Sequence, residues 1–375
     1  MIEIDRIVLR EIHLPLKEPF RISSGVCETR RIFLLELHDA SGATTWSECV
    51  AGEAPNYSPE TIETAWIAIS QWVAPRVLGR RFERASEVRD ELARDFRGHL
   101  MAKAAVEMGA WALEAEMRGM PLSRLVGGTR DRIATGISLG IQSSPEALVE
   151  RAGRAIAEGY RKVKIKIMPG ADVEYVTAAR RALGDEAPLM ADANNAYDID
   201  DTAALEALDG LGLMMIEQPL ACDDLVRHAT LQKRLRTPLC LDESITSLDR
   251  AQDMVTLGAG RIVNVKPGRV GGFAESIAIH DYCLEHGIPV WCGGMLESGV
   301  GRAYNVALAS LPNFTKPGDV SPSARYWARD VVSPEWTMED GFVRVPLDRP
   351  GIGVDVDVEM IERLAVRTET LSVDR

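Results

Sequence analysis

Val163-Lys164-Ile165-Lys166-Ile167 alternates apolar and cationic residues, and the run Lys162–Ile167 that contains it is too short for a helix. It is one of seven similar runs. The others are Ala134–Leu139, Leu189–Asp192, Leu213–Glu217, Leu239–Asp242, Arg261–Lys266 and Pro289–Cys292. Their starting points step by 28, 27, 24, 26, 22 and 28 residues. Short apolar runs spaced this evenly read as strands of βα units. The segments between them carry a helical period. In Asp172–Leu183, for example, Val173, Val176, Ala179, Ala182 and Leu183 fall near one face. Seven such units predict a parallel α/β barrel, with a doubly wound open sheet as the structural alternative.

The flanks read differently. Ile7–His13, Ile32–Leu37 and Thr44–Cys49 look like strands separated by turns, and Pro59–Leu78 and Ala85–Arg118 look mostly helical. Strands followed by helices predict a separate α+β domain over residues 1–125. Val126-Gly127-Gly128 reads as the hinge into a barrel over 126–315. After Pro312 the βα rhythm fades, and in the C-terminal segment 316–375 Phe342–Val345 and Gly353–Val358 read as strands returning to the N-terminal domain.

The 375 residues carry a formal charge of −13, from 43 Lys and Arg against 56 Asp and Glu. That balance argues against nucleic acid or an anionic membrane as partner. A small carboxylate remains compatible, because local lysines or a metal outweigh distant charge. Two acids in the first five residues do not suit a secretory leader. The longest apolar stretch, Ala65–Leu78, is broken by Arg76 and falls short of the roughly 20 residues that span a bilayer. Cys27, Cys49, Cys222, Cys240, Cys283 and Cys292 form no CxxC, so free thiols in a reducing cytoplasm are expected. A homo-oligomer, from dimer to octamer, is also expected.

In a barrel of this kind the site lies at the carboxyl ends of the strands. Lys164 and Lys166 end the second run, Asp192 the third, Glu217 the fourth, Asp242 the fifth and Lys266 the sixth. From Lys166 onward the steps are 26, 25, 25 and 24 residues. Isolated buried charges are costly, so charge at five successive strand ends needs a reason. Three converging carboxylates without a histidine or cysteine at a matching position favour a hard cation such as Mg²⁺. The simpler reading is that these acids cap helices or pair with lysines. Glu243 competes with Asp242 as third ligand, and strand alternation lets only one of them point inward. Lys164 and Lys166 share a face. Crowding and desolvation are expected to lower their pKa values, which makes a neutral lysine base feasible near pH 7. His13, His38, His99, His228, His280 and His286 fall outside the strand ends, and no GxSxG is present, so a histidine base or serine nucleophile is not expected.

These residues resemble the enolase superfamily, and within it the muconate-lactonizing subgroup. The matching segments are Lys164-Ile165-Lys166, Asp192-Ala193-Asn194, Ile216-Glu217-Gln218-Pro219, Leu241-Asp242-Glu243-Ser244 and Asn264-Val265-Lys266-Pro267. Trp291-Cys292-Gly293-Gly294-Met295-Leu296-Glu297-Ser298-Gly299 and Leu311-Pro312-Asn313-Phe314-Thr315 with Pro317-Gly318-Asp319 resemble the o-succinylbenzoate synthase / N-succinylamino acid racemase family. The resemblance implies a modified TIM barrel with an N-terminal α+β capping domain completed by the C-terminal segment. It implies Mg²⁺ on Asp192, Glu217 and Asp242, with Lys166 as main acid/base, Lys266 as its partner across the site and Lys164 as electrostatic support. It makes Ser138, Asn194, Gly293 and Met295 substrate-binding residues. The loop Glu18–Gly25, with Phe20 and Arg21, resembles the capping loop that closes over such a site.

The activity so implied is proton abstraction α to a carboxylate through an enediolate. It would serve dehydration of 2-succinyl-6-hydroxy-2,4-cyclohexadiene-1-carboxylate in menaquinone biosynthesis, racemisation of N-succinylamino acids, or both. Within the superfamily the alternatives are a dipeptide epimerase and a muconate cycloisomerase. The former usually carries an Asp-x-Asp pair, which Gly293–Glu297 does not offer. A lysine Schiff-base aldolase is the alternative from another class, but it has no use for three spaced acids.

Overall fold

The computed structural model describes residues 1–22 and 25–373; Ser23 and Ser24 of the expected capping loop lie outside the described residues. The N-terminal sheet runs in the order Ala365–Ser372, Ile2–Ile22, Gly25–Asp39, Thr44–Cys49, with antiparallel pairing throughout. The near-continuous apolar run at Ile32–Leu37 follows from burial on both faces. Phe33, Leu35 and Leu37 pack into the cap's own helical layer. Ile32 and Leu34 join the apolar cluster that continues into the barrel.

The two expected cap helices are both interrupted. The first is helical over Ile62–Ala68, widens into a π-turn at Ile69–Val73 and resumes over Ala74–Val77. Pro75 has no N–H to donate to the preceding turn, which accounts for the widened ladder before it. The second divides into Ser86–Ala93 and Leu100–Met117, separated by an extended Arg94 and a left-handed His99. Leu100–Met117 is buried along most of its length because it lies between the cap sheet and the barrel.

The barrel strands, in chain order, are Ile137–Leu139, Val163–Lys166, Leu189–Asp192, Ile216–Glu217, Leu239–Leu241, Ile262–Val265 and Val290–Cys292. They form one parallel sheet in sequential order. The sheet closes through the irregular stretch from Phe314 to Val320. Asp319 N donates to Cys292 O (2.8 Å) on one side, and Gly136 N donates to Gly318 O (2.7 Å) on the other. The barrel therefore takes in residues past 315, the expected end.

The C-terminal segment corrects a further expectation. Phe342–Arg344 pairs with Arg132–Ala134, just before the first barrel strand, and Asp355–Val356 pairs with Val332–Ser333. The strand that rejoins the cap is Ala365–Ser372, which pairs with the first strand from Arg6↔Ser372 to Ile12↔Ala365. It is a largely exposed edge strand, so it lacks the apolar alternation that reveals a half-buried one. Among the described residues, no helix is long and apolar enough to cross a membrane.

Two buried carboxylates fasten the cap to the barrel at helix N-termini, where free N–H groups and the helix dipole favour negative charge. Glu48 meets the helix Gly299–Ala309. Glu107 accepts from Phe273 N (2.7 Å) and Ala274 N (3.0 Å) at the start of the helix Phe273–Glu285. Burial pushes the Glu107 carboxyl up from 4.5 to about 7, against those hydrogen bonds and the nearby Arg89. Glu48 is pushed up to about 8, again by burial first. Between the unfolded and folded values the folded state holds a proton that the unfolded chain has released. Stability therefore falls as pH rises through that window and levels off above it. The thermal midpoint should drop between pH 5 and pH 8, and Glu107→Gln should flatten the curve. An unchanged slope in that variant would remove Glu107 from the account.

Candidate active site

Parallel pairing brings the strand ends together. Lys166 stands opposite Asp192, and Asp192 opposite Glu217. Asp242 follows directly on Leu241, and Lys266 follows Val265. All six charged residues expected at these ends, Lys164, Lys166, Asp192, Glu217, Asp242 and Lys266, are buried.

They meet as interlocking ion pairs. Lys164 Nζ lies 3.1 Å from Asp192 Oδ2 and 3.2 Å from Glu217 Oε2. Lys166 Nζ donates to Asp192 Oδ2 at 2.6 Å and also to Asn194 Oδ1. Lys266 Nζ donates to Asp242 Oδ2 at 2.8 Å. The expected lowering of the Lys164 pKa is overturned. Burial does push it down, but Asp319, Glu217 and Asp192 together outweigh burial and hold the ammonium well above its ordinary range. Asp242 likewise keeps Lys266 raised against burial. Asp192 is buried, yet Lys166 and Lys164 hold it far below the usual carboxylate range. Glu217 is the strained member. Burial, then the charges of Asp192 and Asp242, push its carboxyl up to about 8.

Strand alternation does not decide between Asp242 and Glu243, because both lie past the end of their strand and both are buried. Asp242 faces Lys266. Glu243 Oε1 accepts from Asn194 Nδ2 at 3.1 Å, while its Oε2 is buried without a partner. Among the described residues, no three acidic, histidine or cysteine side chains already converge as a metal cluster; lysine ammonium groups stand between the acids. The donor chemistry nonetheless fits a hard divalent cation. The ligands are all oxygen, Glu217 feels two neighbouring negative charges, and Glu243 Oε2 is buried without a hydrogen-bond partner. Asp192, Glu217 and Asp242 are the residues that could hold it, with Glu243 beside them.

A cavity of about 320 Å³ lies above this layer, between cap and barrel. Phe20 and Met295 line it, and Lys166, Asn194 and Lys266 reach it from the barrel floor. Four expected residues stand back from it or beneath it. Lys164 lies below, within the acids. Ser138 pairs with Lys164 in the adjacent strand, and its hydroxyl is buried without a partner. Arg21 exposes its side chain and meets the barrel through its backbone, where its carbonyl accepts from Ile141 N at 3.1 Å. Gly293 is there for space: a Cβ would lie 2.4 Å from Asn264 Oδ1 and 2.5 Å from Lys266 Cε.

Several site residues escaped the sequence reading. Tyr57, from the cap, donates to Asp242 Oδ1 (2.9 Å) and accepts from Lys266 Nζ (3.0 Å). Arg269 also bonds Asp242 Oδ1. Asn264 Nδ2 donates to Glu217 Oε1 at 2.7 Å. Asp319 binds Lys164 Nζ at 2.6 Å and Lys162 Nζ at 3.0 Å, and Lys162 Nζ lies 3.4 Å from the Trp291 ring centroid. The period-two spacing of Lys162 with Lys164 and Lys166 was a readable signal for one of these. Tyr57 gave none, because it arrives from a loop of the other domain.

The chain resembles known proteins along nearly its whole length. Residues 4–127 match the family described as mandelate racemase / muconate lactonizing enzyme, N-terminal domain, and residues 147–360 match the enolase C-terminal domain-like family. An o-succinylbenzoate synthase of Geobacillus kaustophilus is 48% identical over 96% of each chain. An N-succinylamino acid racemase of Thermus thermophilus is 47% identical, also over 96% of each. A solved enolase-superfamily structure from Listeria innocua superposes with a TM-score of 0.96 at 37% identity, covering 99% of this chain and all of the other.

The Asp319 pairing makes a stability prediction. Asp319→Asn leaves Lys162 buried without its counter-charge and should cost about 3–5 kcal/mol in denaturant unfolding. Adding Lys162→Met should recover much of that loss; a double variant no more stable than the single one would show that the pair is not the cause.

Proposed function

Because this chain belongs to the enolase superfamily, with the mandelate racemase / muconate lactonizing enzyme type of N-terminal domain, we propose that it removes the proton α to a substrate carboxylate. It acts as an o-succinylbenzoate synthase, an N-succinylamino acid racemase, or both. The observation that carries this reading is the pair Lys166 and Lys266, which approach one cavity from opposite sides of the buried acids. A homo-oligomer working in the cytoplasm completes the proposal.

Members of this superfamily typically depend on Mg²⁺, and Asp192, Glu217 and Asp242 are assigned here as the residues that hold it. Held by these residues, it would supply positive charge that stabilises the negative charge growing on the substrate carboxylate. The chain's own groups do the rest. Lys166, steadied by Asp192 and Asn194, takes the α-proton. The C–H electron pair passes into the carboxylate to give an enediolate. For dehydration, Lys166 returns its proton to the departing hydroxide on the same face, and the ammonium of Lys266 stabilises the intermediate. For racemisation, Lys266 delivers a proton to the opposite face of the α-carbon. Both outcomes share the first step, so one site serves both. Tyr57 and Asp242 fix the Lys266 ammonium, and Gly293 leaves it room.

The alternatives are less well supported. A dipeptide epimerase typically holds the substrate amine with an Asp-x-Asp pair, which Gly293–Glu297 does not offer. A Schiff-base enzyme has no use for three acids at successive strand ends, and Asp242 holds Lys266 as ammonium.

Assays with the cyclohexadiene precursor and a panel of N-succinylamino acids, run side by side, test the function. EDTA should abolish turnover and Mg²⁺ should restore it. Lys166→Ala should stop α-proton exchange in D₂O while the fold persists; full exchange in that variant would end the role assigned to it. Gly293→Ala should displace Lys266 and lower turnover roughly a hundredfold, the scale of loss for a misplaced catalytic group.

A further inference from the structure

Glu48 lies in the cap strand Thr44–Cys49 and is buried against the first turn of the barrel helix Gly299–Ala309. Its carboxylate accepts from Ser298 Oγ (2.7 Å), Ser298 N (3.1 Å) and Gly301 N (3.0 Å). The approach leaves no space for a side chain at Gly301, where a Cβ would lie 2.8 Å from Glu48 Oε2. Farther along the same helix, Tyr304 donates to Trp46 O at 2.6 Å. The cap strand is thus pinned to this helix at two points.

What precedes the helix gives the contact its meaning. Gly294, Met295 and Leu296 form one wall of the cavity. Leu296 has a left-handed φ of 56°. Glu297 holds the turn from within, accepting from Met295 N (2.7 Å) and Asn305 Nδ2 (2.8 Å). Glu48 holds the next residue, Ser298. In the other direction the chain leaves Glu48 and runs directly into Val50 and Gly52, which also line the cavity. One buried carboxylate therefore joins the cap-side wall to the barrel-side wall.

We propose that Glu48 is a positioning residue that sets the spacing of these two walls, and with it the fit of the part of the substrate remote from the α-carbon. The proposal rests on the function given above. Glu48 makes no hydrogen bond to Lys166 or Lys266 among the described contacts, so its effect falls on binding and not on proton transfer. An apolar replacement leaves the amides of Ser298 and Gly301 without their acceptor and frees the Met295 turn. Glutamine keeps an acceptor oxygen in place.

The test compares Glu48→Leu and Glu48→Gln in steady-state racemisation of N-succinylamino acids and in amide hydrogen exchange over residues 295–301. Glu48→Leu should raise KM about tenfold with kcat within about threefold, the signature of lost uniform binding, and should speed exchange in that segment. Glu48→Gln should restore both. A fall in kcat at constant KM, or unchanged KM together with unchanged exchange, overturns the proposal. If Glu48→Leu does not fold, Ser298→Ala serves in its place. It removes one donor to Glu48 together with the side-chain cap on Val300 N and should raise KM in the same direction; an unchanged KM there also overturns the proposal. If the wild-type enzyme turns over no N-succinylamino acid, the same comparison is made with the cyclohexadiene precursor; if it turns over neither, the functional reading has failed, and the exchange data alone decide for or against Glu48.

Discussion

Buried charge must be matched, and that requirement organises the barrel of this protein. Lys162, Lys164, Lys166, Lys266 and Arg269 interlock with Asp192, Glu217, Asp242 and Asp319 in a buried layer, with Glu243 beside them. No member is tolerable alone in such surroundings. The balance is incomplete at two acids: Glu217 is pushed up to about 8 and Glu243 to about 7, each by burial first and by a neighbouring aspartate next. A bound divalent cation would relieve both. It would also give the layer an excess of positive charge, which an anionic substrate in the cavity above would meet. Metal binding, proton transfer and carboxylate recognition, as proposed, would thus answer one electrostatic problem.

The cap takes part in that answer. Tyr57 brings a hydroxyl down to Asp242 and Lys266, and Phe20 closes part of the cavity from the hairpin side. These contributions are useful only if the two domains are held in register. Glu107 and Glu48 provide the register by placing carboxylates on the N-termini of two barrel helices, where backbone amides would otherwise lack partners. The terminal strand Ala365–Ser372 closes the arrangement by pairing with the first strand of the chain.

The ease of reading varied with how strongly each element had to be patterned. Barrel strands are covered on both faces, so they stand out as short apolar runs ending in a charged residue. The edge strand Ala365–Ser372 buries little and left no such mark. The cap helices were visible as helical stretches, but the π-turn before Pro75 and the break before His99 depend on local backbone geometry. Alternation separates neighbours such as Asp242 and Glu243 only inside a strand, and both residues lie just beyond one.

The amino-acid sequence by itself determined the βα repeat, the parallel barrel and the charged residues at five successive strand ends, because chain periodicity and the cost of burying charge act locally and leave a regular trace. Only the tertiary structure decided who pairs with whom: that Asp319 serves Lys162 and Lys164, that Tyr57 reaches Lys266, that Gly293 is space and not contact, and that Lys164 and Lys266 are held as ammonium. Those outcomes depend on distances between residues far apart in the chain. Burial and ion pairing push a lysine in opposite directions, and the sum is settled only when each partner's position is known.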